Sequence, residues 1–271
     1  MRVAVLIKQV PAVDTVKINE ITGTMEREGV ESELNPMDLH ALEAAIRLKE
    51  SNPAGTVHIT AITMGPAQSK KILANAIAMG CDDALLLSDK AFAGADTWAT
   101  AKTLAIALKM NGPFDLVFAG ERATDGETGQ VAPAVAEFLG YPALTLVSGI
   151  ETVKSGEITV KRAIEGGHET LRSPIPALLA VVKELNRPRL CTLSGKLRAK
   201  STPIPQLSAS DLGLDELSVG IKGSPTRVVR VLYPQVTRMG ERYPMAADPD
   251  TSIRALYTFL EDKGFVKGGA V

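Results

Sequence analysis

Apolar and polar positions over the first two thirds of the chain fall into two alternating rhythms, short strand-like runs and longer stripes with helical spacing. Residues 2–10 read as a first strand. The polar stretch 15–28, with Thr22-Gly23 inside it, reads as an extended excursion or hairpin. In 36–50, Leu39, Leu42, Ala45, Ile46 and Lys49 share one helical face, with Asn35 placed as N-cap and Pro36 at the first helical position. The cycle then repeats. Residues 57–64 are apolar on both faces, as in a parallel sheet covered on both sides. Gly65-Pro66 opens a helix carrying Ile72, Leu73, Ala76 and Ile77, which Gly80 closes. Strand 84–87, helix 97–110, strand 114–119 and helix 129–139, closed by Gly140, follow in order. Strands joined by helices of this length predict right-handed βαβ units. The expected fold class is therefore α/β, a mainly parallel sheet with helices on both faces.

After Ala143 the rhythm changes. Residues 144–153, 158–164 and 177–182 read as strands separated by Gly and Pro turns, with no helix between them. From Asn186 onward, prolines and loop residues lead to one amphipathic helix, 252–263, with Ile253, Leu256, Tyr257 and Leu260 on one face. The expected division is an α/β domain over 1–188 and an extended C-terminal arm over 189–271. The arm either wraps a partner subunit or packs back as a peripheral lobe on its own domain.

Composition narrows the classes. With 271 residues, 45% of them hydrophobic, the chain can bury a sizeable core, and a net charge of −1 gives no reason to expect nucleic-acid binding. Cys81 and Cys191 lack metal or redox spacing and read as small apolar residues of a reducing compartment. The N-terminal run passes directly into Lys8-Gln9, which reads as a strand and not as a targeting segment, and no run is long enough for membrane insertion. A cytoplasmic location is expected.

The inventory of reactive groups is thin. No GxxxxGK[ST], no GxGxxG after the first strand, no HExxH and no GxSxG occurs, and His40, His58 and His168 stand singly, each read as structural. Any chemistry is therefore expected from a bound cofactor, with no catalytic side chain. Ligands of open parallel sheets lie at the carboxyl ends of strands. Four polar stretches fall there: "KQVPAVD", "TMGPAQS" (63–69), "GADTWAT" (94–100) and "GERATDGETGQ" (120–130). In the last, Gly126 and Gly129 allow close backbone approach, Thr124, Thr128 and Gln130 add neutral donors, and a helix start can bind phosphate oxygens without a lysine. Asp125 and Glu127 would repel phosphate, so they cap the helix or point at a ribose hydroxyl or a partner's arginine. A capped loop that holds no ligand is the plainer alternative.

Together the segments "VAVLIKQVP", "SELNPMDLHALEAAIRLKE" (32–50), "TMGPAQ", "AIAMGCDDALLLSD" (76–89), "DGETGQVAPAVAEFLGYP" (125–142) and "VKRAIEGGHETLRSPIPALLA" (160–180) resemble the β subunit of electron transfer flavoproteins over essentially the full length. The last run is the most specific, with Arg162, Glu165-Gly166-Gly167, Glu169 and Pro176 at the family's spacing. The resemblance implies a Rossmann-like α/β domain, pairing with an α subunit that carries an electron-shuttling FAD, and an adenine nucleotide on this chain held by Leu6, the turn with Asn35, Pro36 and Asp38, Met64, and the stretch from Asp125 through Val131 to about residue 135. In one version of the family that nucleotide is a structural AMP. In the other it is a second FAD, which takes a hydride from NADH and splits the electrons. One share goes toward a flavin dehydrogenase such as an acyl-CoA dehydrogenase, the other to a low-potential acceptor, ferredoxin or flavodoxin. The stretch "LLSDKAFAGADTWATAKTLA" (86–105) is similar to the second, bifurcating version, which implies flavin contacts from Asp96, Thr97 and Thr100; plain helix capping is the alternative. Ala163 stands where many relatives carry a glutamate, so that family contact with the α subunit is not carried over. "RLCTLSGKLRAK" (189–200) resembles the loop that docks a partner dehydrogenase through an apolar anchor, here Leu193, although a leucine on a loop is also commonly incidental. A non-redox adenine-nucleotide module, a sensor or hydrolase of similar fold, is the reading from another class.

Overall fold

A computed structural model describes residues 1–12, 32–53, 55–154, 156–229 and 240–266, so the excursion expected over 15–28 lies outside the described residues. The chain separates into two compact units, Met1–Arg230 and Val231–Val271.

In the first unit the predicted alternation appears as β1 (Arg2–Leu6), β2 (Gln9–Pro11), β3 (Ser32–Leu34), α1 (Pro36–Glu50), β4 (His58–Met64), α2 (Lys70–Met79), β5 (Asp83–Leu87), α3 (Thr97–Asn111), β6 (Leu116–Gly120) and α4 (Val131–Leu139). Then come β7 (Ala143–Lys154), β8 (Glu157–Ile164), β9 (Gly167–Pro174), β10 (Ala177–Val181), α5 (Leu193–Ser201) and β11 (Gln206–Leu207). Nine strands form one sheet in the order β11-β5-β4-β1-β6-β10-β7-β8-β9. All neighbours from β11 to β7 run parallel, and β8 is antiparallel to both β7 and β9. The α/β class with a mainly parallel sheet is what the sequence predicts.

Alternation along the central strands explains why both faces are apolar. Val3 and Val5 of β1 join Ile59 and Ala61 under α1 and α2, whereas Ala4 and Leu6 join Ile62 and Val117 under α3 and α4. Every one of these residues is buried. A parallel strand with helices on both sides has no solvent face to offer a polar side chain.

The structure departs from the sequence reading in several elements. The run over 2–10 splits after Leu6, because Gln9–Pro11 leaves the main sheet to pair antiparallel with β3. Strand β9 was not expected: its side chains are exposed except for Leu171, half-buried, and Ser173, buried, so it carries no apolar alternation and forms by pairing with β8. Helix α5 buries none of its residues and so shows no stripe; the Thr192 side chain caps it by accepting from Gly195 N at 3.0 Å. A Cβ at Gly195 would lie 2.0 Å from the Ala78 carbonyl oxygen, so glycine is what lets α5 lie against the end of α2. Finally, 189–229, expected in the arm, belongs to the α/β unit, where β11 extends the sheet beside β5 and Leu212 and Val219 are buried with the α3/α4 face.

The second unit contains α6 (Pro249–Asp262), capped by Asp248, which accepts from Thr251 N at 3.1 Å. Ile253, Leu256, Tyr257 and Phe259 are exposed on it. No described helix is long and apolar enough to cross a membrane.

Where the chain leaves β10, ion pairs fasten it to α1. Arg189 reaches Glu43 at 2.8 Å and Glu50 at 2.5 Å, Arg47 also holds Glu43 at 2.6 Å, and Asn186 donates to the His40 carbonyl at 2.9 Å. The Glu43 side chain is only 3% exposed. Burial would raise its pKa, but the hydrogen bonds from Arg189 and Arg47 outweigh it and hold the carboxyl below its usual range. Arg189→Ala is expected to lower stability by about 1.5–3 kcal/mol in urea unfolding at neutral pH, because a nearly buried carboxylate loses its main partner. Since the folded pKa is depressed, this contribution is present above the unfolded pKa and fades as pH falls through the folded one, so the gap between variant and wild type should narrow in acid.

Candidate functional site

The parallel register brings the carboxyl ends of β4, β1 and β6 to one rim, with Leu6 paired to Ile62 on one side and Ala119 on the other. Beyond those ends the main-chain N–H groups of Lys8 and Gly120 lack strand partners. Asp38, in the first turn of α1, supplies both: Oδ2 accepts from Lys8 N at 2.7 Å and Oδ1 from Gly120 N at 3.1 Å. A Cβ at residue 120 would sit 2.5 Å from Asp38 Oδ1 and 2.8 Å from Met37, so glycine is required for this approach. Asp38 is 6% exposed, and burial raises its carboxyl from the ordinary 3.8 to about 7, against the pull of the two N–H donors, Asn35 and the Lys8 charge.

Asn35 is not the side-chain cap expected from the sequence. The N–H of Asp38, which a capping side chain would take, donates instead to the Asn35 main-chain carbonyl at 3.0 Å, and this leaves the Asn35 amide free. It is buried and turned to the β6–α4 loop instead, donating to the Arg122 carbonyl at 2.9 Å and accepting from Thr124 N at 3.3 Å. Lys8 adds a side-chain tie, Nζ to Asp125 Oδ1 at 2.7 Å. The loop 120–125 is therefore pinned at four points by Lys8, Asn35 and Asp38.

Past Asp125 the loop opens. Gly129 has φ +63° and Glu127 has φ +48°, a left-handed conformation uncommon for a residue with a side chain. A Cβ at Gly126 would meet nothing within 4 Å. The amide of Gln130 reaches the Thr128 hydroxyl only at 3.5 Å; no side chain caps α4, and its first turn carries no acid. An uncapped helix start approached by a glycine-containing loop presents N–H groups to an anion. Leu6, Met64 and Val131, called as contacts from three separate segments, all pack with the apolar cluster on the α3/α4 face.

The start of α3 is built differently. Asp96 Oδ1 accepts from Ala99 N at 3.0 Å, and Oδ2 accepts from Thr226 N at 2.9 Å and the Thr226 hydroxyl at 2.7 Å. Its own N–H donates to the Ser224 hydroxyl at 2.8 Å. Burial would raise the Asp96 pKa, but these donors outweigh it and keep the carboxyl below its usual range. The carboxylate is thus committed to capping and to holding 224–226, with half-buried Thr97 and Thr100 beside it. A Cβ at Gly220 would fall 1.9 Å from the Ala91 carbonyl oxygen, a second close approach between the same two segments.

Leu193 stands apart from the rim. It is 77% exposed at the start of α5, the helix that lies against the end of α2. Ala163 sits on β8 opposite His168 of β9. A cleft of about 290 Å³ between the ends of α3 and α4 and the start of β6, lined by Leu108, Phe114, Leu139 and Tyr141, is at the other end of the strands and contains none of the expected residues. Sequence reasoning placed Lys8 and Gly120 in the polar stretches at the strand ends but gave neither a role of its own, because their partners Asp125 and Asp38 are distant in the chain.

Asp38→Asn tests the bridge. One N–H donor must then face the new amide's own N–H, so stability at neutral pH should fall by about 1–3 kcal/mol. The folded wild type holds a proton that the unfolded chain releases, so this group makes stability fall as pH rises from about 4 to about 7. Urea midpoints measured across that range should decline less steeply for the variant.

Comparison with known proteins follows the same lines. A family model described as "Electron transfer flavoprotein domain" matches residues 22–212. The electron transfer flavoprotein subunit beta of Thermoanaerobacterium thermosaccharolyticum is 45% identical over 242 residues, covering 89% of this chain and 91% of the relative. The caffeyl-CoA reductase-Etf complex subunit CarD of Acetobacterium woodii is 45% identical over 241 residues, with the same coverage of 89% and 91%. The protein FixA of Bradyrhizobium diazoefficiens is 39% identical over 237 residues, covering 85% of this chain and 81% of the relative. With a family model matching residues 22–212 and relatives of this identity along nearly the whole length, the chain belongs to the electron transfer flavoprotein β-subunit family.

Proposed function

We propose that this chain pairs with an α subunit and holds FAD on the carboxyl-end rim. Bound there, the FAD would accept a hydride from NADH and divide the electrons between the α-subunit flavin, which serves a flavin dehydrogenase, and a low-potential acceptor such as ferredoxin or flavodoxin. The observation that carries the reading is the convergence on one rim of an apolar floor, Leu6, Met64 and Val131, with a helix start that has neither a side-chain cap nor an acid in its first turn. These residues fit an adenine nucleotide: the floor suits a flat apolar ring, the N–H groups suit phosphate oxygens, and the space over Gly126 leaves room for close approach.

The residues of this chain bind and orient, and none is asked to move a proton. Asn35, Pro36 and Asp38 fix the base of the loop. Thr124, Asp125, Gly126, Thr128, Gly129 and Gln130 line its upper edge. Thr97 and Thr100 are the flavin contacts from the start of α3, and the part of Asp96 is to hold that turn rigid through Ala99 and Thr226. Leu193, exposed on α5, is assigned to docking the partner dehydrogenase, and the second unit with α6 to the α subunit. A relative named as a subunit of a caffeyl-CoA reductase-Etf complex supports an association with a reductase or dehydrogenase.

A second reading keeps the same rim with a structural AMP in place of FAD. It draws support from Asp96, whose oxygens are already occupied within the chain. Co-purification with the α subunit separates the readings. Two flavins per heterodimer are expected; one flavin with extractable AMP would favour the second reading, and no flavin would favour a non-redox module. Asp96→Ala and Thr97→Ala should lower β-chain flavin content and NADH oxidation while the α-chain flavin stays. Unchanged flavin content and NADH kinetics would count against the assignment.

A further inference from the structure

We propose that Lys8 is a positioning residue of the nucleotide site, and that its ammonium neutralises the Asp125 carboxylate so that the loop entering α4 can receive phosphate. The proposal rests on the reading of the rim as an adenine-nucleotide site, and adds to it a residue that neither the sequence pattern nor that reading assigns.

An acid is out of place in a loop meant for an anion, and Asp125 is additionally hard to accommodate because its side chain is 7% exposed. A carboxylate that deep needs a counter-charge. Among the described residues Lys8 Nζ, at 2.7 Å, is its only hydrogen-bond partner. Arg122, the other cation of the loop, faces Glu121 at 3.8 Å and Glu127 at 3.9 Å instead. With Asp125 neutralised and Glu127 facing Arg122 at 3.9 Å, the N–H groups of the α4 start are left to favour negative charge.

Lys8 is also placed so that its side chain can be tested apart from its backbone. Its N–H is held by Asp38 and its carbonyl accepts from Asn35 N at 2.9 Å, and both contacts survive any side-chain change. The Lys8 side chain is 46% exposed, so an uncharged replacement of similar length is not forced to bury a polar end.

The experiment measures FAD binding to the β chain in the heterodimer with its α subunit, with AMP as a second probe. Lys8→Met should weaken binding by about ten- to a hundredfold, since it strands a nearly buried negative charge beside the phosphates. Lys8→Arg should stay near wild type. The decisive arm is the double variant Lys8→Met with Asp125→Asn, which removes the stranded charge and should recover most of the lost affinity; a purely structural role for Lys8 would not be rescued this way. Unchanged binding in Lys8→Met overturns the proposal. So does a double variant as weak as Lys8→Met with Asp125→Asn binding more tightly than wild type, because Lys8 would then be gripping phosphate itself. If Lys8→Met does not fold, Lys8→Gln takes its place: a loss of affinity that Lys8→Gln with Asp125→Asn recovers supports neutralisation, and unchanged binding in Lys8→Gln overturns it. Wild-type protein that binds neither FAD nor AMP overturns the reading of the rim itself, and this proposal falls with it; wild-type binding with an unaffected Lys8→Met overturns the proposal alone.

Discussion

The rim depends on one buried carboxyl. Where β1 and β6 end, the sheet stops supplying acceptors, and two main-chain N–H groups would be left without partners. Asp38 meets both from the first turn of α1, which ties a helix to two strand ends through a single side chain. The arrangement is possible because residue 120 has no Cβ to collide with Asp38 and Met37. Burial of the group is unfavourable for its charged form, and the result is a carboxyl that titrates close to neutrality.

From that bridge the rest of the site follows in order. Asp38 sets the height of α1, Asn35 at its start then reaches the β6–α4 loop, and the loop is held at its first half and left open at its second. Three acids near the rim are occupied within the chain. Asp38 bonds backbone, Asp96 caps α3 and grips Thr226, and Asp125 faces Lys8. A protein whose acids are committed in this way contributes shape and field, which is what a cofactor with its own reactivity requires. Elsewhere His40 is engaged with Asn186, His58 lies against Asp83, and burial pushes the Cys81 thiol up to about 12, far from the thiolate a nucleophile needs.

Much of this was legible in the sequence, because the central strands and helices repeat apolar residues at the spacing their burial demands. The position of the rim was legible too, since parallel strands place their carboxyl ends together. What escaped was either exposed or long-range. Strand β9 and helix α5 bury too little to leave an apolar pattern, and one is held by hydrogen bonds to a neighbour, the other by a glycine that allows close packing. Asn35 looked like a cap because the capping rule is local, whereas its true partners are Arg122 and Thr124, far along the chain. Lys8 and Gly120 matter only once β1 and β6 are known to be neighbours, and no local pattern announces that.

The most direct test of the account is a crystal structure of the heterodimer as purified with its α subunit. The account expects an adenine nucleotide on the rim, its ring over Leu6 and Met64 and its phosphates within hydrogen-bond distance of main-chain N–H groups between Gly126 and Ala132, with Asp38 still joining β1 to β6. A rim filled by side chains of either subunit, with the nucleotide elsewhere on this chain or absent from it, would contradict the account.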